Sequence, residues 1–257
     1  MTHGVTLGYY HYFPASPTVL TISYKVCSND DMQKERLEKI IAQRGLASRR
    51  EAKALIGEGK VTVNGKVVTE PGFGIDPDTA HIELKDTTTK ESYLLYKPRG
   101  IETSKTNRNS KDIHDVFPKL AHLSPIGRLD KDSEGLIILS NDGTLTKALT
   151  QEHFSVGKTY RVTVKEFVSD AALQKMSHGI VLDKVKTKPA VTKRVSRMVF
   201  DITLHEGRKH QIRRMCDACK LTIESLVRIG IGHLKSTGMK AGNVKKLSPQ
   251  DIADLKA

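Results

Sequence analysis

Between residues 34 and 68 the spacing of apolar positions changes period. Leu37, Ile40 and Ile41 stand at i, i+3 and i+4, which predicts a helix over 34–43 that Gly45 ends. Ser48 followed three residues later by Glu51 has the form of a capping box. Ala52, Leu55 and Ile56 then repeat the helical spacing until Gly57 and Gly59. From Val61 to Val68 two β-rich triplets flank Asn64-Gly65, the dipeptide that suits a two-residue hairpin turn because both central residues need positive φ. Residues 36–68 therefore read as helix, turn, helix, hairpin.

On either side the pattern differs. Residues 1–31 show no helical or strand period and read as a disordered extension, with Met32 as the natural start. Residues 86–91 lack apolar anchors and read as a linker between a unit at 32–85 and a larger one at 92–257. The larger unit has strand-like runs at 92–96, 135–139, 158–164 and 198–204, with helical spacing at 170–177 and 208–219. These interleave without strict βα alternation, which predicts an α+β fold.

Charge adds a partner. The 257 residues hold 42 Lys and Arg against 29 Asp and Glu, a net of +13. Such an excess predicts a polyanion, because each neutralised phosphate releases counterions. Residues 1–31 contribute only Lys25, Asp30 and Asp31, so the surplus lies in the patterned part. Within 36–66 eight basic residues (Arg36, Lys39, Arg44, Arg49, Arg50, Lys53, Lys60, Lys66) face three acids. Arg49-Arg50 at the start of a helix opposes the macrodipole, a cost that a bound phosphate would offset. Three cysteines make no disulfide scaffold, which fits a reducing cytoplasm. No apolar run approaches the roughly 18 residues of a membrane span, and the first twenty residues lack the basic start of a signal peptide.

The most unusual local sequence is the loop Gly127-Arg128-Leu129-Asp130-Lys131-Asp132-Ser133-Glu134, which runs straight into the apolar stretch Leu136–Leu139. Three readings are open on the residues alone. A calcium loop has acids at this alternate spacing, but its closing glutamate would fall at Asn141, beyond the apolar run. A solvated acidic turn is the second. The third is a nucleophilic carboxylate, which an arginine would keep ionised. Cys216-Asp217-Ala218-Cys219 supplies two of the four ligands zinc needs, and the third cysteine is the distant Cys27, so these read as small buried hydrophobes. No histidine repeats at metal spacing beside a carboxylate pair, and no metal is assigned.

Two resemblances enter on these residues. Arg36-Leu37, the run Gly45-Leu46-Ala47-Ser48-Arg49-Arg50-Glu51-Ala52 and Gly59–Gly65 resemble the small RNA-binding domain named after the ribosomal protein S-four. Gly127-Arg128-Leu129-Asp130 with Glu134-Gly135-Leu136 resembles the catalytic loop of the RsuA, RluB, RluE and RluF group of rRNA pseudouridine synthases. Further matches stand in order: Tyr96-Lys97-Pro98-Arg99-Gly100, Lys158-Thr159-Tyr160, Gly179–Leu182 with Lys186–Ala190, Gly207–Met215 and Leu226-Val227-Arg228-Ile229-Gly230. The ending Arg213-Arg214-Met215-Cys216 and the loop Asp130-Lys131-Asp132-Ser133 are most similar to the RluF branch, while Lys209-His210 departs from the commoner Asn-Arg.

The resemblance implies a catalytic domain on a mixed, mainly antiparallel sheet, isomerising a uridine of ribosomal RNA, 23S RNA first, without a cofactor. It implies Asp130 as the catalytic aspartate, Arg213 as its partner, Tyr160 packed on the base and Leu226 closing the pocket. Arg128 would brace the loop or touch RNA. Arg36, Arg49, Arg50, Lys60, Lys97, Lys158, Arg208, His210 and Arg214 are expected to contact RNA. A monomer is expected. The alternatives are the same chemistry on 16S RNA or tRNA, a non-catalytic ribosome-assembly factor, and a glycoside hydrolase, which normally needs two facing carboxyl groups.

Overall fold

In a computed structural model, the structure describes residues 34–85, 89–106, 109–150 and 156–257. The expected extension at 1–31 lies outside them, as do residues 86–88 of the expected linker. No helix among the described residues is long and apolar enough to cross a membrane.

The first unit runs β1 (Glu35–Arg36), α1 (Leu37–Gln43), α2 (Arg49–Gly57), β2 (Val61–Val63), β3 (Lys66–Val68), β4 (Gly74–Ile75) and β5 (Ile82–Leu84). The capping box forms: Ser48 Oγ accepts from Glu51 N at 3.2 Å, and Glu51 Oε2 accepts from Ser48 N at 3.3 Å. Asn64 and Gly65 take φ 51° and 78°, the double positive φ of a primed turn, and β2 pairs with β3 across them. The first helix starts three residues later than its period predicts, because Glu35 and Arg36 pair with Ile75 and Gly74. Leu37, Ile40, Ile41, Ala52, Leu55 and Ile56 face the strands in one core.

The second unit contains β6 (Ser92–Lys97), α3 (Ile113–Val116), β7 (Ser124–Ile126), β8 (Glu134–Ser140), α4 (Gly143–Thr150), β9 (Lys158–Val164), α5 (Asp170–Ser177), β10 (Val181–Leu182), β11 (Val185–Lys186), β12 (Val191–Arg194), β13 (Val199–Leu204), α6 (Gln211–Asp217), β14 (Ile223–Ile231), β15 (Leu234–Lys235), β16 (Val244–Lys246) and α7 (Pro249–Lys256). One sheet runs in the order β12-β13-β9-β14-β8-β6-β16, with β15 added to β14 and β7 to β8. Every pairing in it is antiparallel except β14 with β8. This is the mixed, mainly antiparallel sheet of the expected α+β fold.

Helices α5 and α6 pack on β9, β13 and β14 through Leu173, Met176, Ile212, Met215, Val162 and Phe200. Leu145, Leu149 and Leu255 of α4 and α7 pack with Leu136 and Ile138 of β8. Asp142, just before α4, ties this second layer together: Lys256 of α7 donates to its Oδ2 at 2.8 Å, and Thr144 N and Oγ1 donate to its Oδ1 at 2.9 and 2.6 Å. Cys216 is fully buried, and burial pushes its thiol up to about 12; Cys219 is half-buried. That is the environment of a small hydrophobe.

Candidate active site

The loop between β7 and β8 is pinned on both sides of Asp130. The buried Thr103 hydroxyl donates to Leu129 O at 2.7 Å and accepts from Leu129 N at 3.0 Å. Gly100 N donates to Lys131 O at 2.8 Å, and Ser133 N donates to Asp130 O at 3.1 Å. With its backbone fixed, Asp130 turns a half-exposed carboxylate into a cleft of about 610 Å³.

Two nitrogen-bearing side chains meet that carboxylate from different sides. Arg213 Nε, on the first turns of α6, stands 3.7 Å from Oδ2, and its Nη2 donates to the buried Ser133 hydroxyl at 3.2 Å. His210 Nε2 stands 3.6 Å from Oδ1. His210 has φ 52° and ψ 31°, a left-handed backbone rare for a residue with a side chain. This is why α6 begins at Gln211 rather than at 208: the chain bends just before it.

Beyond Asp130 the cleft is walled by Tyr160 and Lys158 of β9, Leu226 and Arg228 of β14, and Arg128 of the loop. The wall combines an aromatic ring, an aliphatic side chain and a carboxylate with its arginine counter-charge. Among the described residues no three His, Cys, Asp or Glu side chains converge as metal ligands would.

The comparisons with known proteins bear on this geometry. The family described as RNA pseudouridylate synthase matches residues 91–218, and the S4 domain matches residues 35–80. Ribosomal large subunit pseudouridine synthase B of Bacillus subtilis (strain 168) is 38% identical over 235 residues, covering 87% of this chain and 96% of its own length. The chain belongs to the RNA pseudouridylate synthase family. The dual-specificity RNA pseudouridine synthase RluF of Escherichia coli (strain K12) is 33% identical to this synthase over 225 residues, covering 86% of this chain and 78% of its own. A crystal structure of a pseudouridylate synthase is 29% identical, with a TM-score of 0.66 over 86% of this chain and 99% of that one. The synthase is thus an isomerase with an S4 domain at its N-terminal side.

The structure brings Asp130, Tyr160, Arg213, Leu226, Arg128, Lys158, Arg208 and His210 to one cleft. Lys97, Arg208 and Arg214, all expected to contact RNA, have donors engaged within the protein. Lys97 requires a correction: it is fully buried, with Nζ donating to Pro98 O at 2.9 Å and Ile101 O at 2.6 Å, so it cannot reach a phosphate in solvent. Burial pushes its ammonium down to about 8, Glu134 acts against that, and Arg228 adds to it. Arg208 donates to Val185 O at 3.1 Å and Lys186 O at 2.8 Å and pairs with Glu206 at 3.2 Å. Arg214 pairs with Asp183 at 2.6 Å. These two arginines fasten the β10–β11 hairpin to the rim of the cleft. Arg36, Arg49 and Arg50 are exposed on the S4 domain, where Lys60 pairs with Glu58 at 2.9 Å.

Two site residues escaped the sequence reading. Thr103 lies in a polar loop with no local signal to mark it. Arg228 carried none either: on its strand it alternates with Val227 and Ile229, so the apolar period points to the opposite face as the inward one, yet Arg228 is buried.

Proposed function

We propose that this synthase converts a uridine of ribosomal RNA to pseudouridine, with Asp130 as the carboxylate that acts at C1′ of the ribose. One observation carries the reading: Asp130 faces a cleft between Arg213 and His210, with Tyr160 and Leu226 in its walls. The target uridine is extruded from its stack into that cleft. Tyr160 packs on the base and Leu226 closes the pocket. The N1–C1′ bond breaks, the uracil turns, C5 bonds to C1′, the C5 proton leaves to solvent and N1 takes one up from it. Atoms balance within one nucleotide, so no group arrives from outside and nothing is oxidised. Arg213 holds the carboxylate ionised and oriented. Arg128 stands exposed at the mouth of the cleft, where it meets RNA.

The S4 domain grips structured RNA through Arg36, Arg49, Arg50 and Lys60, and the domain bounds that serve this role are 32–85 and 92–257. The RNA of the large ribosomal subunit is the first target to test, since the Bacillus relative is named for it. The Escherichia relative is named as dual-specificity, which favours testing more than one class of RNA together.

The test is incubation of the protein with transcripts of both ribosomal RNAs and tRNA, followed by pseudouridine mapping. Modification at a defined uridine that disappears in Asp130→Asn, with RNA affinity retained, is expected. Pseudouridine formed by Asp130→Asn would overturn the assignment of that carboxylate.

A further inference from the structure

The cations of the cleft outnumber its acids. Six Lys and Arg line it among the described residues, against Asp130 and Glu206. Both carboxylates are already engaged, Asp130 with Arg213 and His210, Glu206 with Arg208 and Gln211. Arg128, Lys158, Lys209 and Arg228 are left with no acid of the cleft, and of these Lys158 and Arg228 stand beside Tyr160.

Arg228 is 2% exposed and heads the fully buried side chains by volume. Its Nε donates to Leu136 O at 2.5 Å, and its Nη1 donates to Arg128 O and Tyr160 Oη, each at 3.4 Å. Its Nη2 is buried with no partner among the described residues. Burying a cation without a counter-ion is costly, and an apolar side chain could fill the same space more cheaply. A guanidinium can only donate, so in its contact with Tyr160 the phenol oxygen accepts, and the phenol proton is directed elsewhere. Lys158 is two residues before Tyr160 on β9 and therefore on the same face. Its Nζ makes one long contact, 3.4 Å to Val156 O. Burial lowers its pKa, and the charge of Arg228 lowers it further.

We propose that Lys158 and the Tyr160 hydroxyl, backed by Arg228, form a phosphate subsite that takes a backbone phosphodiester next to the target uridine. Every free group on this wall is a donor or a cation, so its ligand must be an acceptor and an anion, as a phosphodiester is. The arrangement is compatible with Tyr160 stacking on the base. A ring lying parallel to uracil aims its hydroxyl past the base edge, toward the sugar and phosphate of the same nucleotide. The inference rests on the functional reading above and adds what anchors the extruded nucleotide while the base turns.

The test is a set of RNAs carrying a methylphosphonate, which removes the negative charge, at the phosphate 5′ or 3′ of the modified uridine or at a distal position. Single-turnover rates are measured at saturating RNA with the wild type, Lys158→Met and Tyr160→Phe. One adjacent methylphosphonate should slow the wild type about tenfold, the size of one lost charge-assisted hydrogen bond. In Lys158→Met the same replacement should cost less than about twofold, since the partner is already gone. Tyr160→Phe removes only the hydroxyl and should show the same loss of sensitivity, which keeps the test sound if Lys158→Met folds poorly. Equal slowing in all three proteins, or no slowing by either adjacent replacement, would overturn the subsite. A wild type that forms no pseudouridine in any RNA would instead overturn the functional reading.

Discussion

Arg36, Arg49 and Arg50 stand exposed on the S4 domain, whereas Arg208, Arg214 and Arg228 around the cleft are bonded to carboxylates and backbone carbonyls. One residue type does two kinds of work. In the first region the charge faces water and can exchange counterions for phosphates, a long-range and salt-sensitive attraction. In the second the fixed fork of the guanidinium acts as a fastener, holding a hairpin, a loop and a tyrosine at set distances. Net charge alone counts both alike, and only burial separates them. A basic composition therefore measures affinity for RNA less directly than the number of cations left in solvent.

Four variants test that division. The largest effect is expected at Asp130, where Asp130→Asn should abolish pseudouridine formation and leave RNA affinity within a few-fold, measured by mapping and by filter binding. Next are two buried charges whose loss should be felt in stability alone. Lys97→Ala should lower unfolding free energy by about 2 kcal/mol through the two lost hydrogen bonds and the space left behind, with the salt dependence of RNA binding unchanged. A reduced salt slope would return Lys97 to the surface class.

Asp142→Asn should also cost about 2 kcal/mol near neutrality. Burial pushes that carboxyl up, but the hydrogen bonds from Lys256 and Thr144 outweigh it and hold it at about 2. A depressed folded pKa gives stability that is complete above the unfolded value near 4 and is lost as pH falls through about 2. Denaturation of wild type and Asp142→Asn at a series of pH values should therefore converge in acid, and a constant gap would show that the charge plays no part.

The mildest change belongs to the exposed class. Arg49→Ala with Arg50→Ala should leave melting temperature and saturated rate alone and reduce the slope of log affinity against log salt by about 2 at most. A drop in thermal stability would move these arginines into the fastening class.

Local signals were legible where local chemistry decides the backbone. Asn64-Gly65 and Ser48 with Glu51 each fix their turn or cap through neighbours in sequence, and both form as read. The strands at 92–97, 134–140, 158–164 and 199–204 and the helix at 170–177 follow from runs of apolar residues at the proper period. The family came from six ordered motifs, since no single loop distinguished a nucleophile from a solvated acid. What failed depended on contacts and bends outside the period of the element itself. The start of α1 gives way to pairing with Gly74 and Ile75, and α6 is shortened by the left-handed His210. Lys97 looked like a surface cation beside Pro98, yet it shares a strand face with Leu95, and the carbonyls that take its protons belong to the next turn of chain. Whether a lysine on an inward face finds such acceptors is decided by a loop that its own period cannot describe.

Gly135 sets a limit of another kind. Its φ of +109° and the approach of Arg228, whose backbone O and N would stand 2.3 and 2.6 Å from any added Cβ, leave room for hydrogen alone. The start of β8 and the middle of β14 are thus clamped main chain to main chain, more than ninety residues apart in sequence. The span from the carboxylate at the end of the loop to the leucine on the opposite strand becomes a rigid gauge. In the pocket proposed for the uridine, a base of the wrong girth would find jaws that this contact does not let reset.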